Sequence, residues 1–411
     1  MRELEERFTD ELVVIGVHSG KYHAERITQR IRDASIRLGV GHPIVNDRQF
    51  RIWRSYAVSA WPTLVMINPE GYVVGAGAGE FTSESLAPFI TSLIQEKEAK
   101  GTLKQGAMTV VADPPTVAPG RLRYPGKVAV QGSRIAIADS GNHRVLTGTL
   151  STDGQSMTVE LVVGRGKRGY DGGSNASFNS PQGMAFADRT LYVADAGNHA
   201  VRAIDLGSGG VSTVAGTGRQ LRTHADREGG ALSSPWDLEL KGESMYIAMA
   251  GVHQIWALDL ATGRLRIHTG TGGEDIRDGS NPDALLAQPM GITSTDDRLY
   301  FADSESSAIR WSELGEDGET GTVLGTGLFD FGDVDGKGDE IRMQHQQGVD
   351  LSPDGRLLVA DSYNDVLKWV DPVSRSAVSW VRGLSEPGGV ACGAQHAYVA
   401  DTNAHRILTV S

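Results

Sequence analysis

Pro181-Gln182-Gly183-Met184-Ala185-Phe186, then Leu191-Tyr192-Val193-Ala194-Asp195, then Gly197-Asn198-His199: this stretch decides the fold. It reads as a proline, a short apolar strand, a polar turn, a second apolar strand ending in Ala-Asp, and a turn into a third strand. The phrase can be laid out six times. The first copy holds Tyr124-Pro125-Gly126, Arg134 to Asp139 and Gly141-Asn142-His143-Arg144-Val145. The third keeps Pro235-Trp236-Asp237 and Met245-Tyr246-Ile247-Ala248, but Met249 stands where the aspartate is expected. The fourth reads Pro289-Met290-Gly291 and Leu299 to Asp303, and the fifth reads Gln346-Gln347-Gly348 and Leu357 to Asp361, with Gln346 in place of the proline. The sixth reads Pro387-Gly388-Gly389 and Ala397 to Asp401, and closes on Asn403 and His405-Arg406-Ile407-Leu408.

From Asp139 through Asp195, Met249 and Asp303 to Asp361 the steps are 56, 54, 54 and 58 residues, and the last, to Asp401, is 40. The long steps have room for four strands each. Between copies recur Gly216-Thr217-Gly218, Gly270-Thr271-Gly272 and Gly325-Thr326-Gly327, with Asp171-Gly172, Asp278-Gly279 and Asp335-Gly336 as further turn signals. A period of this length is the mark of a repeat architecture.

The proline, the Ala-Asp strand end and the Gly-Asn-His-Arg turn resemble the NHL repeat. That resemblance implies a β-propeller of four-stranded blades, and six copies imply six blades. Only three strands of the last blade are written before the chain reaches Ser411. The segment around Leu103 to Ala112 is therefore expected to pair with Arg406 through Val410 as the closing strand, because an open edge invites aggregation.

Residues 1–100 read differently. The apolar run Leu12 to His18 predicts a strand and the amphipathic stretch from Ala24 to about Leu38 a helix. His42 to Asp47, a second helical stretch through Trp53 and Tyr56, a hairpin around Asn68-Pro69-Glu70-Gly71 and a last helix from about Ser83 to Lys100 follow. This order, with Ala60-Trp61-Pro62-Thr63, resembles a thioredoxin-like α/β domain, in which Trp61, Pro62 and Thr63 would form the proline loop with a cis peptide before Pro62. The first strand and the C-x-x-C motif of that family would lie upstream of Met1. The fold class read from the chain is thus α/β plus all-β. A truncated thioredoxin-like domain (1–100) precedes a six-bladed propeller (101–411), the plan of two-domain thioredoxin-like/NHL-repeat proteins.

The net charge of -12 argues against an electrostatic grip on nucleic acid, and no apolar run approaches membrane-spanning length. The single cysteine, Cys392, precludes an intrachain disulfide within these residues. A cytoplasmic location is the default expectation, and the oligomeric state is not encoded in any visible pattern.

In an antiparallel blade, the turn between strands two and three and the connection to the next blade open on the same face. Asn142, His143, Arg144, Asn198, His199, His253, Asn364, Asn403, His405 and Arg406 therefore share one rim, the candidate surface for binding a protein or a small polar ligand. Asp and Asn also stabilise turns by bonding nearby amides, which every repeat needs. No metal or cofactor set stands apart from the repeat, and no catalytic set does either. The acidic stretch Asp333 to Glu340 lacks the spacing of an EF-hand and reads as a turn. Trp256, Trp311 and Trp369 read as corresponding third-strand positions that pack between sheets, in company with Trp236 and Trp380. The expected function is a binding or scaffold protein. The alternative is a thiol-disulfide oxidoreductase or peroxidase-like enzyme with its cysteines upstream of Met1. A propeller lyase or lactonase would need a metal on the axis.

Overall fold

The computed structural model describes residues 1–106, 121–315 and 317–411, without the side chain of His224. The chain divides into two compact units, Met1–Thr116 and Val117–Ser411.

In the first unit, helix Arg2–Arg7 lies against helix Ser83–Ala99, and Leu4, Phe8, Ala87 and Ile90 make its core. Thr82 and Ser85 cap the longer helix with reciprocal side-chain bonds to backbone N–H groups, which satisfies donors a helix start would otherwise leave open. Strand Gly16–His18 pairs in parallel with Ile44–Asn46 across the connecting helix Thr28–Leu38. Strand Thr63–Ile67 forms an antiparallel hairpin with Val73–Ala78, and the Trp61–Pro62 peptide is cis. The two pairs remain separate two-stranded sheets. The apolar run from Leu12 becomes strand only over its last residues, and Val13, Ile15 and Val17 stay exposed.

The second unit is a six-bladed propeller. Blade one consists of Val128–Gln131, Arg134–Asp139, Arg144–Leu150 and Met157–Val163, each strand antiparallel to the next. Blades two and three repeat this from Pro181 to Ala215 and from Pro235 to Thr269. Blades four and five add a short fifth strand, Gly279–Ser280 and Gly336–Lys337, on the outer edge. The Asp-Gly turns seen in the sequence are thus where the incoming loop joins the outer strand. Asp278 accepts Thr322 N–H at 3.2 Å, and Asp335 accepts Ser379 N–H at 2.9 Å, which covers an otherwise open edge.

Each innermost strand touches that of the next blade, and the innermost strand of blade six touches that of blade one, so the ring is closed. Burial follows the same geometry. There are six apolar clusters of buried residues, one for every junction between adjacent blades; Ala136, Val145, Met184 and Leu191 belong to the first, and Val128, Ile135, Ala391 and Tyr398 to the last. The core is therefore radial walls between sheets, each sheet burying both faces.

Among the described residues blade six has three strands, Pro387–Cys392, Ala397–Asp401 and Arg406–Val410. The expected partner does not pair there over Leu103 to Gly106. The Thr102 and Leu103 N–H groups bond the Lys97 carbonyl, left open at the end of helix Ser83–Ala99, and Gly106 N–H bonds Asp10 O. Residues 107–112, the rest of that expected strand, lie outside the described residues.

The three tryptophans are not equivalent. Trp311 and Trp369 are the fourth residues of their strands, while Trp256 is the third of its own. Successive strand side chains face opposite ways, so Trp256 lies on the other face of its blade. Its equivalents are Arg202, Arg310 and Lys368.

Candidate functional site

The aspartate that closes the second strand of a blade is a buried hub. Asp139 Oδ1 accepts Arg123 N–H at 2.7 Å, and its Oδ2 accepts Asn142 Nδ2 at 2.8 Å and Arg144 Nε at 2.7 Å. Asp195 takes Asn179 N–H, Asn198 Nδ2 and Arg202. Asp361 takes Gln344 N–H and Asn364 Nδ2, and Asp401 takes Ser385 N–H and Arg406 Nε. Each hub thereby ties the segment entering its blade to the turn leaving the second strand. Burial pushes the Asp195 carboxyl up to about 6 and that of Asp361 up to about 7, against the pull of these bonds. In blade three both members of the ion pair are replaced, and Met249 and Trp256 share an apolar cluster where Asp195 and Arg202 sit in blade two.

The next turn residue links neighbouring blades. His143 Nδ1 accepts Ser180 N–H at 3.1 Å, His199 Nδ1 accepts Ser234 N–H at 3.0 Å, and His405 Nδ1 accepts Tyr124 N–H at 3.0 Å. Asp365 does the same for Glu386 N–H at 2.9 Å, and Ser307 Oγ for His345 N–H at 3.3 Å. Acceptor and donor residues all have φ between 46° and 57° in these five junctions. That left-handed backbone turns the donor N–H out of its own blade, where only a neighbour can meet it. At the remaining junction, His253 Nδ1 is buried with no hydrogen-bond partner among the described residues. Desolvation, with Arg168 and Arg123 nearby, lowers the His143 pKa to about 4, and burial followed by Arg222 lowers that of His199.

The structure thus brings the sequence-predicted rim residues to one face, in pairs and triads within and between blades. Asn142, His143, Arg144, Asn198, His199, Asn364, His405 and Arg406 all make these bonds, and Asn403 N–H bonds Ser385 O. Around them on the same face run the long connections 164–180, 216–234, 270–288 and 325–347, carrying Phe329 at 68% exposure. In the first unit, Trp61 Nε1 donates to Ser19 O at 2.7 Å and its ring lies 4.5 Å from that of Trp53, while Thr63 Oγ1 donates to Ala60 O.

Sequence reasoning missed the axis. Two residues after the conserved-looking proline position of the motif, blades two, four, five and six have Gly183, Gly291, Gly348 and Gly389, whereas blades one and three have Lys127 and Asp237. The glycines are there for close approach: a Cβ at Gly183 would lie 2.4 Å from Asp237 Cα, and one at Gly389 2.9 Å from Lys127 Cα. Lys127 spans the ring. Its Nζ bonds Asp237 Oδ2 at 3.0 Å, Met290 O at 2.8 Å and Gln347 O at 2.5 Å, joining blades one, three, four and five. Two residues further along, Glu239 accepts Ser294 Oγ at 2.5 Å, and Asp350 accepts Thr293 Oγ1 at 3.1 Å and Cys392 N–H at 2.7 Å. The signal that was available is the replacement of glycine by a charge at one motif position in two blades.

The acidic turn Asp333 to Glu340 is occupied by its own cation: Lys368 Nζ lies 2.7 Å from both Asp333 and Asp335. Cys392 is half-buried, and burial together with Asp350 and Asp354 pushes its thiol pKa up, away from thiolate chemistry. Among the described residues, no group of three or more His, Cys, Asp or Glu is arranged to hold a metal ion, and no helix is long and apolar enough to cross a membrane.

No family model matches the chain. It is 37% identical over 465 aligned positions to NHL repeat-containing protein 2 of Gallus gallus, covering 99% of this chain and 63% of that protein. It is also 36% identical to Protein SUPPRESSOR OF QUENCHING 1, chloroplastic, of Arabidopsis thaliana, covering 97% of this chain and 41% of that one. A solved structure of a protein of unknown function from Bacteroides thetaiotaomicron superposes with a TM-score of 0.50 at 15% identity, over 71% of this chain and 70% of that chain, a likeness of fold alone. With six motif copies, six blades and relatives of this identity along almost its whole length, the chain belongs to the NHL-repeat family, and it spans 63% of the length of the NHL repeat-containing protein 2 it matches.

Proposed function

We propose that the chain is a binding scaffold whose propeller recognises a protein or a small polar ligand at the rim face. The observation that carries this reading is the one-sided placement of its long loops. The connections 164–180, 216–234, 270–288 and 325–347 all open on the face of the Asn-His turns, while among the described residues the opposite face has short hairpins such as 132–133 and 242–243. Long loops on a rigid frame are where binding residues concentrate. The staples beneath them make that frame rigid. Many rim His and Asn side chains hold the loops in place, so the ligand is read by the loop side chains above them together with the outward parts of Arg144 and Arg406.

A photo-crosslinking residue placed at Phe329 on the rim, and in a second variant at Val373 on an opposite-face hairpin, tests this in the native host. Val373 is 91% exposed and serves as the control. A discrete adduct at 329 and none at 373 is expected. Equal labelling at both, or none at 329, overturns the reading.

We further propose that residues 1–100 are a thioredoxin-like domain. The order strand, helix, strand, helix, hairpin, helix supports this, as does the parallel pair beside an antiparallel hairpin. A crystal structure of a longer relative's equivalent unit, in which the two sheets fail to join into one, would overturn it.

A further inference from the structure

We propose that Asp237, which holds the ammonium of Lys127, forms with Glu239 and Asp350 a pH-sensitive latch on the propeller axis. It holds blades three to six together while one carboxyl is protonated and loosens them when all are ionised.

The geometry supplies the latch. Asp237 of blade three bonds Lys127 of blade one and, at 3.3 Å, Ile292 N–H of blade four. Glu239 of blade three bonds Ser294 of blade four, Thr293 of blade four bonds Asp350 of blade five, and Asp350 bonds Cys392 N–H of blade six. The three carboxyls therefore form a chain of bonds running from blade three to blade six.

The charges do not balance. Among the described residues Lys127 is the one cation bonded to these carboxyls; Lys241, at the end of the same strand as Glu239, bonds Asp296 at 2.7 Å and reaches Glu239 only through its charge. Other elements around Glu239 bring no relief. The innermost strands of blades two and four have no charged residue, the adjacent strand Ser244–Met249 carries only Tyr246 among titratable groups, and Ala129, Ala185 and Ala391 hold the corresponding position in blades one, two and six. Burial raises the pKa of both Asp237 and Asp350, and once ionised they set two negative charges against the Lys127 ammonium. In a medium of low dielectric a third is costly.

Desolvation first, then Asp350 and Asp237, push Glu239 up to about 8 in spite of the Ser294 bond and the Lys241 charge, and desolvation pushes Asp350 to about 6. An unfolded Glu gives up its proton near pH 4.3, so the latch weakens as pH rises from there to about 8, and levels off above.

Hydrogen exchange read by mass spectrometry on the whole chain, corrected for the intrinsic rate, tests this between pH 6.5 and 8. In the native protein, protection of peptides covering Pro235–Lys241 and Pro289–Ser294 is expected to fall by up to about tenfold per pH unit, relative to the outer strand Met157–Val163. In Glu239→Gln, whose amide oxygen still accepts from Ser294, the same peptides are expected to show no such slope. Equal slopes in both proteins, or no slope in the native one, overturn the proposal. Should Glu239→Gln fail to fold, difference infrared spectroscopy between pH 7.5 and 9, run on Asp361→Asn so that the other carboxyl raised to about 7 does not contribute, decides. Loss of a protonated-carboxyl band supports the latch, and the absence of any such change overturns it.

Discussion

His405 Nδ1 accepts the backbone N–H of Tyr124 at 3.0 Å, and through that bond the last blade of the ring holds the first. Thr402 Oγ1 adds a bond to the Pro125 carbonyl at 2.8 Å, and Tyr398 and Ala391 pack on Val128 and Ile135. Four blades use the same hydroxyl device after the hub aspartate: Ser140, Ser304, Ser362 and Thr402 each bond the carbonyl at the start of the next blade. The closing junction is thus built like that between blades one and two, from a histidine and a hydroxyl.

Replacing His405 by Ala leaves the Tyr124 N–H without its acceptor and places an alanine at φ 57°. A loss of about 1–3 kcal/mol is expected in urea unfolding. His405→Asn, which tolerates that φ and offers an oxygen, is expected to recover part of it. Equal loss in both variants would sink the staple interpretation.

The histidine staples need neutral rings. The unfolded chain protonates His143 near pH 6.5, whereas the folded protein does so only at about 4. Acid therefore favours the unfolded state across that window, and stability is expected to fall with a slope approaching one proton per pH unit from this group. His143→Asn should show a shallower slope between pH 6.5 and 4 when unfolding midpoints are compared.

Met249→Asp in blade three would bury a carboxylate where Trp256 stands in the place of the paired arginine. A destabilisation of about 3 kcal/mol or more is expected. The double variant Met249→Asp with Trp256→Arg restores the pairing of Asp195 and Arg202, and should be less destabilised than the two single changes summed. A double-mutant cycle with no coupling would contradict the equivalence of these positions.

Gly183→Ala forces a methyl against Asp237 on the axis, at an expected cost of about 1–3 kcal/mol. Gly41→Ala, where an added Cβ meets nothing within 4 Å, is expected to change stability by less than about 0.5 kcal/mol. Thermal unfolding of the two variants side by side checks the difference.

The repeat phrase alone determined the blade count, the strand pairs within each blade and the position of every hub aspartate, because a strand's alternation and its turn residues are local properties of the chain. It also marked Met249 as an exception, though not that Trp256 replaces the matching arginine, since that pairing crosses from one strand to the next. The run Leu12 to His18 reads as a full strand, yet only Gly16–His18 finds a partner in Ile44–Asn46. A strand exists where a neighbour supplies hydrogen bonds, and hydropathy does not reveal the neighbour. The rim residues were legible as a set, while their bonds to the next blade were not. The axis was decided by the tertiary structure alone: Lys127, Asp237, Glu239 and Asp350 are separated by up to two hundred residues or more in sequence, and only closure of the ring brings their charges within reach of one another.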